Sequence, residues 1–524
     1  MISMKRYVQY IGMLFVILMV TGNAWGAALP KAGALANNGT YTLSANQTQT
    51  GTLIVANGVT ATINLNGKTL NGNALQIFDI AAGGTLTITN GTITNGKAVN
   101  GGCGIINGTL SLGNVTVMNC TSTNDGGAFY VNASGALTIT NCIFEKNTAA
   151  RHGGAICSAS TANTLIIKGS TRFQYNSAKN YGGAIYARTL KIAGNSVNDP
   201  VVIANNEATF LSGEEPTFSL NSKGNWTSNN NGRGGGVFIP TSSNATEPFA
   251  DMNCDIDYCE IRDNYAAIDG GGIYSGINTT IDNSKILRNK AMSSEKRDAN
   301  WKTSLNAGRG GGFYFTGYYN SETSVERKPQ FTLTDTDVLN NECMYYGGGG
   351  QLTTRAVLTV KGTTKINNNK AVLHGAGGLH LTADVTLFFN SGQINYNEAY
   401  TVGGGIHTSY GCTLHLNGGT ISGNKANQRG GGVHVNTGGN LTLAGTIITD
   451  NKVYKGKDMA YATVVKNTDG TYAYVESSLD YKRKNESSYK YEDNDDSKFL
   501  VNTGLGGESC YRYRRQPERR TRQR

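Results

Sequence analysis

Short segments of alternating apolar and polar residues run through most of the chain, and none is long enough to form an amphipathic helix. The clearest lie at 137–139, 165–167, 358–360, 387–389, 414–416 and 441–443. Their period of two and their threonine and β-branched residues predict half-buried β-strands. Glycine, asparagine and serine fill the gaps between them, and proline is scarce, with 7 residues in 524. The chain is therefore predicted to be all-β.

Glycine clusters show that these segments repeat. Where the spacing between clusters is undisturbed, it is 27 to 29 residues. A fixed period in this range is typical of a solenoid, in which one unit cannot bury its apolar face without a neighbour. The last glycines of the clusters are Gly127, Gly154, Gly183, Gly236, Gly272, Gly312, Gly350, Gly378, Gly405 and Gly432.

An aromatic or aliphatic residue three positions before an asparagine keeps the same period. Each unit contains the alternating segment, the segment that ends at this asparagine and the segment that begins at the glycines. These three short strands, with three turns between them, predict one coil of a right-handed parallel β-helix. The region 36–455 has room for about fifteen coils. The pairs are Phe144/Asn147, Phe173/Asn176, Ile203/Asn206, Trp226/Asn229, Ile261/Asn264, Ile286/Asn289, Val338/Asn341, Ile366/Asn369, Ile394/Asn397, Ile421/Asn424 and Ile448/Asn451.

Both repeated features have a mechanical explanation in such a coil. Glycine tolerates positive φ and lets the backbones of adjacent coils approach closely at a corner. Asparagines at equivalent turns stack about 4.8 Å apart and hydrogen-bond along the axis, which satisfies buried turn carbonyls. We interpret them as a structural ladder rather than as catalytic residues. The predicted ladder residues are Asn147, Asn176, Asn264, Asn341, Asn369, Asn397, Asn424 and Asn451.

Composition divides the chain into five parts. The N-terminus has two basic residues, an apolar run and then small residues, which is typical of a secretory signal peptide. The C-terminal end is rich in arginine and differs sharply from everything before it. The predicted divisions are a signal peptide at 1–26, an N-terminal cap with irregular opening coils at 27–118, the repeat β-helix at 119–455, a tyrosine-rich C-terminal cap at 456–510 and a basic, disordered tail at 511–524.

The formal charge of +10 does not indicate a nucleic-acid partner. The tail 511–524 holds seven arginines and one glutamate and contributes +6, while Lys5 and Arg6 contribute +2. The rest of the chain is therefore near +2. Such a balance gives no basic surface for a phosphate backbone.

The nine cysteines follow no metal-binding or disulfide spacing, and their number is odd. Cys254 and Cys259 are the only close pair outside the early coils. We interpret the cysteines mostly as small buried apolar residues. The alternative that some of them form one or two disulfides stays open.

Three of the repeats resemble a known family. All three have a Gly-Gly-Ala-apolar cluster, and the second and third clusters are preceded by the Phe-x-x-Asn pairs Phe144/Asn147 and Phe173/Asn176. They resemble the repeat of polymorphic outer membrane proteins, the chlamydial-type surface autotransporters. The resemblance extends over about residues 119–451. It implies an exported β-helical passenger that is displayed on the cell surface and has a role in adhesion or host contact. The clusters lie at 126–129, 153–156 and 182–185.

The chain departs from this family at its C-terminal end. Those proteins end in a membrane β-barrel, whereas only about 70 residues follow Asn451 here. We therefore expect no C-terminal membrane barrel and no integral membrane segment after signal removal. The anchoring route stays open between a soluble or loosely attached relative and a truncated gene product.

The middle coils are irregular and are predicted to carry surface loops. The intervals between glycine clusters lengthen to 36, 40 and 38 residues between Gly236 and Gly350. The extra length is assigned to 241–257, 291–309 and 316–329. Insertions in a solenoid become loops on particular faces, where binding sites are often found. Surface loops without a ligand are an equal alternative. Candidate contact residues for a protein or glycan ligand are Trp301, Tyr318, Tyr319, Lys296, Arg297 and Lys302.

Histidines form a second candidate site. His380, His407 and His434 each lie two residues after the last glycine of consecutive coils, so they are predicted to stack in one column. A metal- or sugar-binding stripe is one interpretation, and stacking in an otherwise apolar column is the favoured alternative. The same position in earlier coils is assigned to Phe129, Ile156, Ile185, Phe238, Tyr274, Tyr314 and Leu352.

An enzyme is the main alternative function, because polysaccharide lyases and glycoside hydrolases also use this fold. They need paired acidic residues on neighbouring coils or a calcium site with a basic residue, and the sequence reveals neither. Asp125 and Asp269, and Arg233, Arg309 and Arg429, precede glycine clusters but are interpreted as turn residues. We expect a non-catalytic, adhesin-like scaffold without a cofactor. It would be located in the outer membrane, on the cell surface or outside the cell, and bind a surface protein or glycan.

Overall fold

The computed structural model describes residues 27–209, 232–241, 252–292, 308–320, 323–436 and 439–453, and the backbone of six further short strands. These residues contain β-strands and turns and no helix. The strands stack as a parallel solenoid, which confirms the predicted fold class. The proposed signal peptide, the basic tail and most of the C-terminal cap lie outside the described residues.

Four strands form each full coil, and equivalent strands of successive coils form four parallel sheets. Sheet 1 follows the glycine clusters. Its strands are Gly33–Ala34, Leu53–Val55, Phe78–Ile80, Gly104–Ile106, Phe129–Val131, Ile156–Ser158, Ile185–Ala187, Val237–Ile239, Ile273–Ser275, Phe313–Thr316, Gly350–Thr353, Leu379–Leu381, Ile406–Thr408 and Val433–Val435.

Sheets 2 and 3 contain the alternating segments and the segments that lead to the asparagines. Thr85–Thr94 and Thr109–Met118 run through both sheets. The other strands of sheet 2 are Gly39–Thr42, Thr60–Asn64, Ala136–Thr140, Leu165–Lys168, Leu190–Ala193, Asn253–Asp257, Asn278–Asp282, Gln330–Thr334, Val357–Lys361, Thr386–Phe389, Thr413–Leu416 and Asn440–Leu443. Those of sheet 3 are Gln47–Thr48, Thr69–Asn71, Ile143–Glu145, Arg172–Gln174, Val201–Ala204, Cys259–Arg262, Lys285–Leu287, Asp337–Leu339, Lys365–Asn367, Thr420–Ser422 and Ile447–Thr449.

Sheet 4 is made of two-residue strands that follow the asparagines, and the three-strand prediction did not include it. It begins only at Lys97–Ala98, so the opening coils differ from the later ones. Its other strands are Thr121–Ser122, Thr148–Ala149, Ser177–Ala178, Glu207–Ala208, Tyr265–Ala266, Lys290–Ala291, Glu342–Cys343, Lys370–Ala371, Glu398–Ala399, Lys425–Ala426 and Lys452–Val453.

The remaining described strands are antiparallel hairpins or lie near the C-terminal end. Phe499–Val501 adds to sheet 1 beside Val433–Val435. Glu492–Asp493 pairs antiparallel with the last strand of sheet 4. The hairpins are Phe218–Leu220 with Trp226–Ser228, Tyr318–Asn320 with Val325–Arg327 and Ala462–Lys466 with Tyr472–Glu476.

Thirteen consecutive parallel pairings join the fourteen strands of sheet 1 from Gly33 to Val435. The described solenoid therefore makes about thirteen turns, somewhat fewer than the fifteen predicted. The difference arises because insertions lengthen the region 36–455 without adding coils. Trp226 and Asn229 were also interpreted as part of a repeat. Trp226–Ser228 belongs to an antiparallel hairpin, and this interpretation was wrong.

The core is one continuous apolar column inside the coils. Inward residues of sheets 1, 2 and 3 are fully buried and stack on their equivalents in the next coil. The rings of Phe144 and Phe173, 29 residues apart in sequence, stack with centroids 4.8 Å apart. Because each ring touches its counterpart only through the coil stacking, one coil alone has no core.

An asparagine ladder runs along the corner between sheets 3 and 4. The main-chain N–H and the side-chain Nδ2 of Asn147 both donate to Oδ1 of Asn176, at 3.0 Å each. Nδ2 of Asn176 also donates to the carbonyl of Phe144 at 3.0 Å. The ladder residues are at most 1% exposed and are Asn147, Asn176, Asn206, Asn264, Asn289, Asn341, Asn369, Asn397, Asn424 and Asn451.

This list adds Asn206 and Asn289 to the eight ladder residues named from the sequence. The main-chain N–H of Asn206 donates directly to Oδ1 of Asn264, so these two asparagines are consecutive members of the ladder although 58 residues separate them in sequence. Cys120 donates its main-chain N–H to Oδ1 of Asn147 and starts the ladder. Every ladder amide before Asn451 therefore has partners in the coils on both sides.

The glycine clusters pack directly against the next coil and against this ladder. Gly153 adopts φ +64°, and a Cβ at Gly154 would overlap the carbonyl oxygen of Gly183 in the next coil. A Cβ at Gly272 would lie 3.0 Å from Nδ2 of Asn289. Glycine and asparagine therefore meet at the same contact between coils.

We predict that Gly154→Ala strongly destabilises the solenoid. The added methyl meets backbone, which cannot move without separating two coils, so the free energy of unfolding should fall by about 3 kcal/mol or more. Thermal unfolding followed by circular dichroism measures this loss. Gly113→Ala is the matched control, because its Cβ would meet only a side-chain methyl of Thr89 at 3.7 Å. Equal effects of both substitutions would contradict the account.

We predict that Asn289→Ala lowers the free energy of unfolding by about 2–4 kcal/mol. The change leaves the buried carbonyl of Ile261 and two donors on Asn264 without partners. Asn417→Ala is the control: its amide also bonds an asparagine one coil away, at 2.8 Å, but in an exposed position. Chemical denaturation should show a loss of at most about 0.5 kcal/mol for the control.

Candidate functional site: the outer face of sheet 1 and its flanks

The central residue of each sheet 1 strand points away from the core and forms an outer column. From Phe238 onward its members are at most 6% exposed, although they lie outside the coil. The column contains Tyr130, Cys157, Tyr186, Phe238, Tyr274, Tyr314, Gln351, His380, His407 and His434.

The assignment of four residues to this column from the sequence was wrong. Phe129, Ile156 and Ile185 point into the core, because Ala128 and its equivalents occupy the place of the third glycine in these coils. Leu352 is also internal, because its cluster has a fourth glycine that begins the strand. A shift of one residue in a strand moves its side chain to the opposite face.

The residue before each glycine cluster folds over the outer column. We call these the cover residues: His152, Tyr181, Arg233, Asp269 and Arg309, which form successive parallel bridges. The ring of Tyr181 stacks on His152 at 4.9 Å and on Phe238 at 4.4 Å. The outer face of sheet 1 is thus a second small core rather than an open surface.

Asp269 lies between two arginines of the neighbouring coils, an arrangement that the sequence did not reveal. Arg309 binds both carboxylate oxygens at 2.9 Å, and Arg233 Nε lies 3.1 Å from one of them. Asp269 is completely buried, and each guanidinium lies over a tyrosine ring of the outer column. Because a buried carboxylate needs such partners, the group serves the cover of sheet 1.

The three candidate histidines do form one column. Ring centroids are 5.0 Å apart between His380 and His407 and 4.9 Å apart between His407 and His434. His407 Nδ1 and His434 Nδ1 are 2.9 Å apart, so one must donate and the other accept. His380 is held by Gln351 Oε1 at 2.6 Å and Ser409 Oγ at 2.9 Å.

These contacts favour neutral imidazoles. Burial lowers the pKa of His380 and of His434 to about 3. Burial and the neighbouring imidazoles lower the pKa of His407 well below its ordinary value. Tyr346 stacks on His380 at 4.2 Å and covers the column from outside. In the part of the chain that the structure describes, no group of three His, Cys, Asp or Glu side chains is arranged to hold a metal ion.

Along the sequence, the insertions of the middle coils fall before and after the strands of sheet 1. Residues 210–231 and 293–307 fall between sheets 4 and 1, and residues 242–251 fall between sheets 1 and 2. The loop assigned to 241–257 is shorter than predicted, because Asn253–Asp257 is a strand of sheet 2. Tyr318 and Tyr319 lie in the hairpin that leaves sheet 1 after Phe313–Thr316. Trp301, Lys296, Arg297 and Lys302 lie outside the described residues.

One acidic pair on neighbouring coils escaped the sequence search. Asp257 and Asp282 are register partners in sheet 2, and Asp257 Oδ1 accepts from Asn283 Nδ2 at 3.0 Å. They are separated by 25 residues, because the coil is short there. A search for acidic residues at the ends of alternating segments, rather than before glycine clusters, would have found them.

The cysteines are mostly buried thiols. Cys103 and Cys120 form a disulfide. Cys142, Cys157, Cys254, Cys259, Cys343 and Cys412 are free and buried among the described residues. Burial raises the pKa of the Cys142 thiol to about 11, so it is not a reactive thiolate at neutral pH.

Two adjacent repeats match a known family model. Residues 141–159 and 170–188 match the Chlamydia polymorphic membrane protein repeat. Each matched stretch contains one Phe-x-x-Asn pair and one Gly-Gly-Ala-Ile cluster, which confirms the resemblance seen in the sequence. Comparisons with curated proteins and with solved structures gave no match. No helix in the described ranges is long and apolar enough to cross a membrane.

We predict that acid destabilises this protein through the histidine column. The folded-state pKa values lie below the unfolded value of about 6.5, so the stabilisation is complete above that pH and is lost as the pH falls towards 3. Each buried histidine should remove up to about 1.4 kcal/mol per pH unit in this window. His407→Phe keeps a stacking ring and should make the midpoint temperature less sensitive to pH between 6.5 and 4. An unchanged pH dependence would contradict this assignment.

Proposed function

We propose that this chain is an exported β-helical binding scaffold with an adhesin-like role and without catalysis. The observation that carries the proposal is the placement of the irregular segments. In the middle coils, the described solenoid is interrupted after Thr209, Thr241 and Met292, and the hairpin leaves it after Phe313–Thr316; all four points lie at the two corners beside sheet 1. Such insertions on a rigid repeat are where binding surfaces are commonly built.

The repeated asparagines and histidines support this proposal because they are buried and so are not available to a ligand. The ladder amides bond one another and the main chain, and they are buried. The glycine clusters contact the next coil, and the histidine column is covered. A ligand therefore has access to the insertions and corners rather than to the repeated residues.

The repeat match supports display at the surface. The matched model describes a repeat of chlamydial membrane proteins, and the first 26 residues have the composition of a secretory signal peptide. We propose a location in the outer membrane, on the cell surface or outside the cell, with a surface protein or glycan as the partner. Nucleic acid is not a proposed partner, because the solenoid has little net charge.

A polysaccharide-degrading enzyme is the second candidate, and one observation favours it. Asp257 and Asp282 lie side by side in sheet 2, which places their Cα atoms about 4.8 Å apart. Retaining glycoside hydrolases hold two carboxyl groups about 5 Å apart. However, Asp257 is bonded to Asn283, and the described part of the chain shows no basic residue bonded to either carboxylate.

We predict selective binding without turnover for the mature chain. Purified protein should bind cultured animal cells saturably, and it should release no reducing sugar or unsaturated product from polyuronides and neutral polysaccharides. Turnover by the wild-type chain that is lost in Asp257→Asn or Asp282→Asn would contradict the adhesin-like function and support the enzyme. Absence of both binding and turnover would contradict both functions. Unfolding curves verify that each variant retains its fold.

A further inference from the structure

The corner between sheets 1 and 2 carries a row of exposed aromatic and charged side chains. We call Tyr319, Arg355, Asp384 and Tyr410 the corner strip. Arg355 and Asp384 occupy equivalent turns of consecutive coils, and Tyr410 lies in the next such turn. The main-chain N–H of Arg355 donates to Ala383, and that of Asp384 donates to Tyr410. The strip therefore follows the axis over three coils.

The hairpin brings Tyr319 onto this row. The guanidinium of Arg355 lies over the Tyr319 ring, 3.8 Å from its centroid. Arg355 also donates to Glu326 Oε1 at 2.8 Å, on the other strand of the same hairpin. Tyr319 is nevertheless 42% exposed. The insertion is thus fixed to the solenoid in a way that leaves part of an aromatic ring accessible.

Tyr410 is the second aromatic of the strip and is 73% exposed. Asp384 lies between it and Arg355, with its carboxylate 3.5 Å from Arg355 Nε. Two coil steps, roughly 10 Å along the axis, separate Arg355, which lies over the Tyr319 ring, from the turn of Tyr410. Two rings with a carboxylate and a guanidinium between them form an extended platform.

The turns that carry the strip are conformationally unfavourable. Thr354 and Arg355 have φ of 53° and 61°, and Ala383 and Asp384 have φ of 58° and 62°. Such paired left-handed turns favour Asn and Gly, and other residues there are strained. The equivalent position one coil later is Gly411. Arg355 therefore occupies a position where its conformation brings no stability.

The ion-paired charges of this corner balance. Lys328 and Arg355 contribute two positive charges, and Glu326 and Asp384 contribute two negative charges; all four are linked by ion pairs. A polyanion such as a uronic-acid polymer would therefore compete with Glu326 and Asp384 for Lys328 and Arg355. A neutral sugar offers an apolar C–H face for a tyrosine ring and hydroxyls for carboxylate and guanidinium groups.

We infer that the corner strip binds neutral oligosaccharides, with Tyr319 and Tyr410 as stacking platforms for two parts of one chain. This inference rests on the proposed binding function and specifies its ligand class. The carboxylates of Glu326 and Asp384 accept hydrogen bonds from sugar hydroxyls. No bond is formed or broken in the ligand.

The test uses the full mature chain and defined probes. Immobilised cello-, malto-, xylo- and manno-hexaoses serve as neutral ligands, and heparin and polygalacturonate serve as anionic ones. At least one neutral hexaose should bind more tightly than both anionic polymers. Tyr410→Ala and Tyr319→Ala should each weaken that binding about tenfold or more, because each removes one of the two stacking platforms.

Tyr396→Ala is the matched control, because this ring is 63% exposed but lies at the corner between sheets 3 and 4. It should leave binding unchanged. Failure of every neutral hexaose to bind, preference for the anionic polymers, or equal binding by Tyr410→Ala and wild type would overturn the inference. If wild type and Tyr410→Ala bind cells equally well, the proposed binding function stands and only the assignment of the corner strip as the binding site is contradicted.

Discussion

The stacking of coils through the asparagine ladder is the interaction on which the rest of the structure depends. Each ladder amide before Asn451 donates to the next coil and to the previous one, so adjacent coils are held at a fixed separation along one corner. Glycine clusters make this separation attainable, because their backbones occupy space that a side chain would fill. The ladder is buried, so a missing rung leaves donors and carbonyls that water cannot satisfy.

A rigid column of this kind separates structural residues from residues available for binding. The residues that recur in every coil fill the core, form or contact the asparagine ladder, or lie in the covered outer column of sheet 1. Even the histidines, which suggested chemistry, are held by stacking, and His380 is also held by hydrogen bonds to Gln351 and Ser409. The corners tolerate irregularity, because insertions there leave the register of all four sheets intact. Asn206 and Asn264 show this directly, since their amides meet across a long insertion.

The period of the sequence was sufficient to predict the fold and the ladder, because residues one period apart become neighbours in a solenoid. The fourth sheet escaped prediction, because strands such as Thr148–Ala149 are too short to show alternation. The register of sheet 1 was misjudged where alanine replaces the third glycine, as at Ala128. Counting residues from the last glycine does not show which residue lies against the ladder asparagine. That contact, seen in the structure, sets which residues of the following strand face outward.

The functional surface was less predictable than the fold. Tyr319 was identified from its insertion, but Arg355, Asp384 and Tyr410 lie in ordinary turns of separate repeats, and only the stacking brings them together. The Asp257 and Asp282 pair was missed for the same reason. Composition and spacing indicate which segments are irregular, and they do not indicate which exposed side chains become neighbours.

Engineered disulfides between coils test the central claim most directly. Lys370, Glu398 and Lys425 are exposed register partners in sheet 4 of three consecutive coils. Lys370→Cys combined with Glu398→Cys should form a disulfide readily, because adjacent coils place the Cα atoms about 4.8 Å apart. Lys370→Cys combined with Lys425→Cys should not, because twice that distance exceeds the reach of a disulfide. Equal cross-linking in both pairs, or none in the first, would contradict the stacked register.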